Sequence, residues 1–117
     1  MKGIKMKQVK AIIKHERLEA VRDALDHMGV KGITITEVKG AGQQRGYAES
    51  YRGAKTIIHF RPKIEVVVVV NDLQVDEVVE AILNNAHTGD IGDGKIFVIP
   101  VEEIIKIRTG ERGSKTV

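Results

Sequence analysis

The chain contains no cysteine among its 117 residues, and its only aromatic residues are two tyrosines and two phenylalanines. The absence of cysteine excludes disulfide bonds, thiol catalysis and cysteine metal sites, and it suits a protein of a reducing cytosol. No apolar run reaches the length that crosses a membrane, and residues 1–5 lack the apolar region of a secretory signal. We therefore expect a cytoplasmic protein that does not insert into a membrane.

Length and charge limit the number of domains and the classes of partner. A chain of 117 residues with 42% hydrophobic residues can form one domain with one modest core. We expect a single domain over residues 1–117, in which residues 1–5 are an N-terminal extension. The 19 basic and 16 acidic residues are spread along the chain. Because nucleic-acid-binding proteins concentrate basic charge on one face and stack bases on aromatic side chains, we expect no nucleic-acid partner.

Residues 88–95, with the sequence Thr-Gly-Asp-Ile-Gly-Asp-Gly-Lys, carry the strongest chemical signal. Glycines let successive N–H groups turn toward one anion, and a lysine adds positive charge, so the segment predicts a phosphate-binding loop. It fits the first half of a Walker A motif, but Ile96 stands where that motif has a serine or threonine for magnesium. The order of helix before loop and strand after it is also reversed. A simple helix-to-strand connector is the alternative.

Hydrophobic periodicity predicts the element order β-α-β-β-α-β. Strands are expected over residues 6–13, 32–38 and 95–101, and a further strand over residues 57–70 is expected to be interrupted near Pro62. Its apolar run, residues 66–70, predicts a central strand that is covered on both faces. Helices are expected to begin near Glu16 and after Asn71 or Asp72, and Gly29 is expected to end the first one. The predicted apolar helix faces comprise Leu18, Val21, Leu25 and Met28, and Val75, Val78, Val79, Ile82 and Ala86. This order predicts an α+β fold, a ferredoxin-like sandwich whose bare sheet face would be covered by oligomerisation.

A long segment between the second and third strands follows neither period. Residues 39–56 contain four glycines, several charges and both tyrosines. A loop of this length in a small domain is either functional or disordered, and its two ends join strands. We therefore expect a mobile functional loop over about residues 39–60. After the last strand we expect a short addition over residues 102–107, and then a polar loop and tail over residues 108–117.

The element order and four sequence blocks resemble the PII nitrogen-regulatory signal-transduction proteins. Residues 88–98 are similar to the B-loop of that family, and residues 36–46 are similar to the base of its T-loop. Residues 51–54, Tyr-Arg-Gly-Ala, resemble the tip of the T-loop, and residues 108–111 resemble the C-loop. The resemblance covers residues 6 to about 111. It implies a sensor rather than an enzyme, assembled as a homotrimer with nucleotide sites in the clefts between subunits.

The resemblance implies that each cleft binds ATP or ADP. The B-loop glycines would donate backbone N–H groups to phosphate, Lys95 would pair with phosphate charge, and Lys106 and Arg108 would reach in from the C-terminal segment. The expected nucleotide-binding residues are Gly40, Gly89, Gly92, Asp93, Gly94, Lys95, Lys106 and Arg108. Because Lys106 and Arg108 alternate with Ile105 and Ile107, they are expected to share one face of a strand. Two solvated charges on an edge are the alternative.

The resemblance also implies that 2-oxoglutarate binds together with Mg-ATP at the base of the T-loop. Gln44 would complete the magnesium shell, while the backbone near Arg45 and Gly46 and the Lys63 ammonium would hold the carboxylates. An ordinary charge after Pro62 is the alternative reading of Lys63. A sensor of ATP and ADP alone, on the same fold, is the alternative function.

The T-loop is the expected output of the sensor. The resemblance implies that Tyr51, Arg52 and Gly53 bind a partner, which is an ammonium transporter of the inner membrane or a nitrogen-assimilation enzyme, with Arg52 inserted into a transporter pore. An exposed loop arginine is the alternative. Thr56 occupies the position of the family's modified tyrosine, so we expect no tyrosine nucleotidylylation. A ferredoxin-like RNA-binding module is a remote alternative, because a single phenylalanine over residues 94–98 replaces the aromatics that such a sheet needs.

Overall fold

A computed structural model describes residues 5–41, 49–51, 55–57 and 60–117, and at residues 41, 49–51, 55–57 and 60 it describes the backbone alone. The strands in this part of the chain are β1 (Met6–Lys14), β2 (Thr34–Ala41), β3 (Glu49–Tyr51), β4 (Lys55–Ile57), β5 (Phe60–Asn71) and β6 (Lys95–Val101). The α-helices are α1 (Leu18–His27) and α2 (Val75–Ala86). Short 3-10 turns precede both helices, over His15–Arg17 and Asp72–Gln74, and a third covers Ser114–Thr116.

The main sheet has four strands in the order β2-β5-β1-β6, and every neighbouring pair is antiparallel. This order and the two helices confirm the predicted ferredoxin-like α+β fold. β5 pairs with β1 along one side and with β2 along the other. The prediction that residues 66–70 belong to a central strand is therefore confirmed.

The core lies between the helices and one face of the sheet. The alternate residues of β5, Ile64, Val66, Val68 and Val70, are all buried together with residues of β1 and of both helices. On the other face Val67 and Val69 remain partly exposed. Both helices thus pack on one side of the sheet, as the ferredoxin-like sandwich predicts, and cover of the other face by oligomerisation stays a prediction. The predicted helix faces are confirmed, with Val21, Leu25, Val78 and Ile82 fully buried.

β5 runs through Pro62 without interruption, contrary to the prediction. Pro62 pairs with Lys39 of β2, whereas the ladder with β1 ends one residue later, at Lys63. A proline breaks a strand when it removes a ladder hydrogen bond, and it is tolerated where one side of the strand is open. Because Pro62 lies past the end of β1, its missing N–H can face that open side. Ile57, which was assigned to the same strand, lies in β4 instead.

Glycine ends the first helix as predicted. Gly29 has a φ of +79°, and its N–H donates to the Asp26 carbonyl at 3.0 Å. The N–H of Val30 donates to the Leu25 carbonyl at 3.1 Å, and both of these side chains are buried. These two hydrogen bonds and the apolar contact define a Schellman motif, which satisfies carbonyls that the helix leaves unpaired.

The long segment between β2 and β5 contains regular structure that the sequence did not predict. Residues 39–41 belong to β2, and the chain re-enters the sheet at Phe60. β3 and β4 form a separate two-stranded antiparallel ladder in which Ser50 pairs with Thr56. The predicted functional residues Gln44, Arg45, Gly46, Arg52 and Gly53 lie outside the described residues.

The segment after β6 folds back on itself. Ile105 forms a bridge with Arg112, the Lys106 N–H donates to the Glu111 carbonyl at 2.8 Å, and the Gly110 N–H donates to the Lys106 carbonyl at 2.7 Å. Residues 107–109 therefore form a turn, and the expectation that Lys106 and Arg108 share a strand face is wrong. The physical reason is Gly110, whose φ of +74° reverses the chain.

Candidate functional site

The glycine-rich loop over residues 87–94 joins α2 to β6 and is organised around the Asp93 carboxylate. The N–H groups of Thr88 and Gly89 both donate to Asp93 Oδ2 at 2.9 Å, and the Thr88 hydroxyl donates to Asp93 Oδ1. Lys14 Nζ, at the end of β1, lies 3.4 Å from the same carboxylate. The Asp93 side chain thus binds the first half of the loop and, through Lys14, connects it to β1 of the sheet.

The contacts of Asp93 keep it ionised. The hydrogen bond from the Thr88 hydroxyl, reinforced by those from the Thr88 and Gly89 N–H groups and by Lys14, holds the pKa of this carboxyl well below its ordinary value of 3.8. Hydrogen bonds of this kind favour the charged form because each donor points at negative charge. The Thr88 oxygen in turn accepts hydrogen bonds from Lys14 Nζ at 3.1 Å and from the Asp90 N–H at 3.2 Å.

Lys63 holds the second half of the loop. Its ammonium donates a hydrogen bond to the Gly92 carbonyl. Lys63 belongs to β5, which is an inner strand of the sheet. Lys63 and Lys14 are directly opposite each other in the ladder of β5 and β1. Burial lowers the pKa of Lys63 from its ordinary value of 10.5, and the charge of Lys14 lowers it further. Two like charges facing each other across a ladder are unfavourable by themselves, so this arrangement needs nearby negative charge or polar acceptors.

The backbone of the loop requires glycine at its close approach to β1. Gly94 has a φ of +100°, and a Cβ atom built on it would lie 1.6 Å from the Ile12 carbonyl oxygen. Gly89 and Gly92 also have positive φ, at +90° and +96°. Only glycine adopts this region without cost. The glycines therefore determine the backbone path of the loop. A connector without glycine at these positions could not follow the same path.

The structure brings together part of the predicted nucleotide site. Gly92, Asp93 and Gly94 are in one cluster with Lys63, which was predicted to bind 2-oxoglutarate. Gly40 of β2 packs beside this cluster, since a Cβ there would be 3.2 Å from Lys63 Cγ. Lys95 follows directly as the first residue of β6, with an exposed side chain.

One predicted nucleotide-binding residue, Gly89, is placed differently from expectation, whereas the role of Lys106 and Arg108, which was expected in clefts between subunits, stays a prediction. The Gly89 N–H is occupied by Asp93 and is not available to a phosphate in this conformation. Lys106 and Arg108 are exposed on the C-terminal turn. Over residues 5–41 and 60–117, no hydrogen bond or ion pair joins either of them to the loop.

Sequence reasoning missed Lys14 and Thr88. The contacts of Lys14 with Thr88 and Asp93 join residues more than 70 positions apart, and only the sheet register brings them together. Thr88 did offer a local signal, because threonine and aspartate side chains commonly bond to backbone N–H groups in turns.

An apolar cavity of about 390 Å³ lies next to the loop. It is lined by side chains of β1, α2 and β6, among them Ile12, Val79, Leu83 and Ile96, and also by Asp93, Gly94 and Lys95. Ligand sites commonly combine an apolar wall with a few polar groups that fix orientation. Within the described part of the chain, no group of three His, Asp or Glu side chains could hold a metal ion. No helix there is long and apolar enough to cross a membrane.

The fold and the loop together define a ferredoxin-like domain with a glycine-rich loop between α2 and β6, and comparison with known proteins identifies its family. The family described as nitrogen regulatory protein P-II matches residues 6–111. The chain is 53% identical to a nitrogen regulatory protein P-II of Azospirillum brasilense, over 96% of this chain and all of the relative. It is 54% identical to nitrogen regulatory protein P-II 2 of Methanothermobacter thermautotrophicus, over 96% of this chain and 97% of the relative.

A solved structure supports the same assignment. The chain matches a crystal structure of Arabidopsis thaliana PII bound to citrate with a TM-score of 0.76 and 38% identity, over 96% of this chain and 92% of that one. The chain therefore belongs to the nitrogen regulatory protein P-II family of signal-transduction proteins. This confirms the resemblance that the four sequence blocks indicated.

Proposed function

We propose that this protein is a nitrogen regulator that senses ATP or ADP together with 2-oxoglutarate, and that it acts on an ammonium transporter or a nitrogen-assimilation enzyme without being an enzyme itself. The observation that carries the proposal is the glycine loop, held from one side by Asp93 and from the other by Lys63, in a chain that belongs to a family of nitrogen regulators. Its expected location is the cytoplasm, where these small anions signal carbon and energy status.

The nucleotide would bind at the second half of the loop. Gly92, Gly94 and the Lys95 ammonium are the groups on this stretch that can face a phosphate, in a region where Lys14 and Lys63 add positive charge. Magnesium would enter with ATP, because Mg²⁺ in nucleotide sites is bound by substrate phosphates and waters with few protein ligands. Gln44 would complete its shell.

A homotrimer would complete the nucleotide site. β6 is an edge strand with the exposed apolar side chains Phe97, Val98 and Ile99. An open apolar edge favours association, so a second copy is a suitable cover. Lys106 and Arg108 are exposed on the C-terminal turn. We propose that they reach the loop of a neighbouring copy.

A carboxylate effector fits the position of Lys63. Its side chain lies beside Gly40, near the point where β2 and β5 adjoin the segment 42–59. The Arabidopsis relative is described as bound to citrate, which like 2-oxoglutarate carries several carboxylates. We propose that 2-oxoglutarate pairs with Lys63 and with the backbone near Arg45 and Gly46, and that Gln44 reaches it through magnesium.

Calorimetry tests the ligands. The protein is titrated first with Mg-ATP and then, loaded with ATP, with 2-oxoglutarate. Heat of binding in both steps, with no 2-oxoglutarate heat in the absence of ATP, is the expected result. Binding of ATP alone would favour the alternative function, a sensor of ATP and ADP only. No nucleotide binding would refute the proposal.

Transporter binding tests the output. We propose that Tyr51, Arg52 and Gly53 contact the partner, and that the protein acts without tyrosine nucleotidylylation, because Thr56 stands at the position of the family's modified tyrosine. In a pull-down with ammonium-transporter membranes, Arg52→Ala is expected to abolish capture. Arg22→Ala is the matched control, because it removes an exposed arginine that is paired with Glu19 on α1. Equal capture of both variants would show that Arg52 has no such role.

A further inference from the structure

We propose that Asp93 is a positioning residue, whose carboxylate acts as an internal anion that pre-forms the first half of the phosphate loop and leaves residues 92–95 to meet the nucleotide. This inference rests on the proposed function, and it changes the role that the sequence predicted for Asp93, which was direct contact with the nucleotide.

The first step is the geometry around one oxygen atom. The N–H groups of two successive residues, Thr88 and Gly89, converge on Asp93 Oδ2 at the same distance of 2.9 Å. Successive N–H groups that point to one place form the concavity in which proteins commonly bind phosphate. Here a carboxylate of the chain itself fills it. A phosphate oxygen in the same place would have to displace that carboxylate and would be repelled by it.

Further contacts hold the Asp93 carboxylate in place. Asp93 Oδ1 accepts the Thr88 hydroxyl, and Lys14 Nζ contacts both the Thr88 oxygen, at 3.1 Å, and the carboxylate, at 3.4 Å. Because Lys14 belongs to β1, these contacts tie the loop to a strand that is paired on both sides. A carboxylate with four polar partners is fixed in position, which is what a positioning role requires.

Separate contacts hold the second half of the loop. Lys63 binds the Gly92 carbonyl, and Gly94 packs against the Ile12 carbonyl with no room for a side chain. Residues 92–95 thus contain two fixed points, Asp93 with its partners and the contact of Gly94 with β1. A loop that is fixed before its ligand arrives loses little conformational freedom on binding, and this increases affinity.

The experiment compares Asp93→Asn with Asp90→Asn. Asp90 is an exposed neighbour in the same loop, so both changes remove one negative charge at almost the same place. Hydrogen exchange of the Thr88 and Gly89 amides is measured in the nucleotide-free protein, and the affinity for Mg-ATP is measured by calorimetry. For Asp93→Asn we expect faster exchange at both amides and an ATP affinity that falls about tenfold, which matches the loss of one hydrogen bond to a charged group. Asp90→Asn should change neither.

Two outcomes would overturn the inference. Weaker ATP binding with unchanged exchange at the two amides would mean that Asp93 contacts the nucleotide directly. Faster exchange with unchanged ATP binding would mean that the order of the first half of the loop does not matter for binding. Exchange of the core amides of β5 reports whether the variant is folded. If Asp93→Asn is unfolded, Thr88→Val removes the hydroxyl contact instead and is expected to show the same two changes.

The same data separate this inference from the proposed function. If the wild-type protein binds no nucleotide, the proposed function fails. The exchange measurements, which need no nucleotide, then decide whether Asp93 orders the loop.

Discussion

Replacement of Gly94 by alanine should destabilise the protein far more than the same change at Gly89. Both glycines have positive φ, +100° and +90°, but their surroundings differ. A Cβ on Gly94 would lie 1.6 Å from the Ile12 carbonyl oxygen and 2.8 Å from the Ile12 carbonyl carbon, whereas the nearest atom to a Cβ on Gly89 is 4.0 Å away, on His87. Ile12 is paired with both neighbouring strands, so its backbone cannot move aside independently.

The magnitudes follow from these two environments. At Gly89 only the strain of a positive φ is added, which costs about 1–3 kcal/mol. At Gly94 the same strain combines with overpacking, which typically costs a further 1–3 kcal/mol and more where the backbone must shift, for about 2–6 kcal/mol in total. The loop is also expected to lose its path over β1, so nucleotide binding should fall together with stability.

Urea unfolding at one protein concentration measures both variants. The concentration is held constant because an oligomer gains apparent stability by mass action. We expect the midpoint for Gly94→Ala to fall clearly below that for Gly89→Ala, at similar slopes. Equal midpoints would refute the argument, since they would mean that the close approach of Gly94 to β1 does not constrain the loop.

Three further predictions concern charge and packing. Hydrogen bonds lower the pKa of Asp93 in the folded state, so its contribution to stability is complete above about pH 4, the value of an unfolded aspartate, and is lost as the pH falls through the lower folded pKa. The difference in unfolding free energy between wild type and Asp93→Asn should therefore be constant from pH 7 to 5 and shrink below pH 4, and a constant difference down to pH 2 would contradict this. Lys63→Met should reduce 2-oxoglutarate affinity in calorimetry at least about tenfold, with a smaller effect on ATP alone, and an equal loss of both would mean that Lys63 acts only by holding the loop. Leu25→Ala should lower the free energy of unfolding by about 2–5 kcal/mol because Leu25 is fully buried, whereas Leu83→Ala, at a position 52% exposed, should cost clearly less, and similar losses would contradict the assignment of the core.

Regular patterns in the sequence were sufficient for the sheet and the helices. The observed bounds of β6, Lys95–Val101, are those that the sequence predicted. Elsewhere a general sequence rule gave a wrong prediction, because the place of the residue in the fold removed the reason for the rule. Proline usually interrupts a strand, but Pro62 lies past the end of β1 and is tolerated. Alternating charges and isoleucines over residues 105–108 look like a strand, yet Gly110 reverses the chain there.

The candidate site shows a different limit. The glycine pattern indicated the loop, and Asp93 was among the residues that the sequence assigned to it. Its contacts were not predictable, because they depend on where the carboxylate lies relative to two N–H groups and to Lys14 of a distant strand. The sequence shows which polar groups are available, but the register of the sheet determines which of them come into contact.

The ends of the segment 42–59 have a consequence for how such proteins diversify. Gly40 pairs with Arg61 and Ala41 pairs with Phe60, so the chain leaves and re-enters the sheet at directly opposed positions. The closure of this segment is therefore fixed by the two strands and not by its own sequence. Doubling the length of a loop closed in this way costs only about 0.6 kcal/mol. The length and sequence of the segment can therefore change while the sheet and the glycine-rich loop stay unchanged.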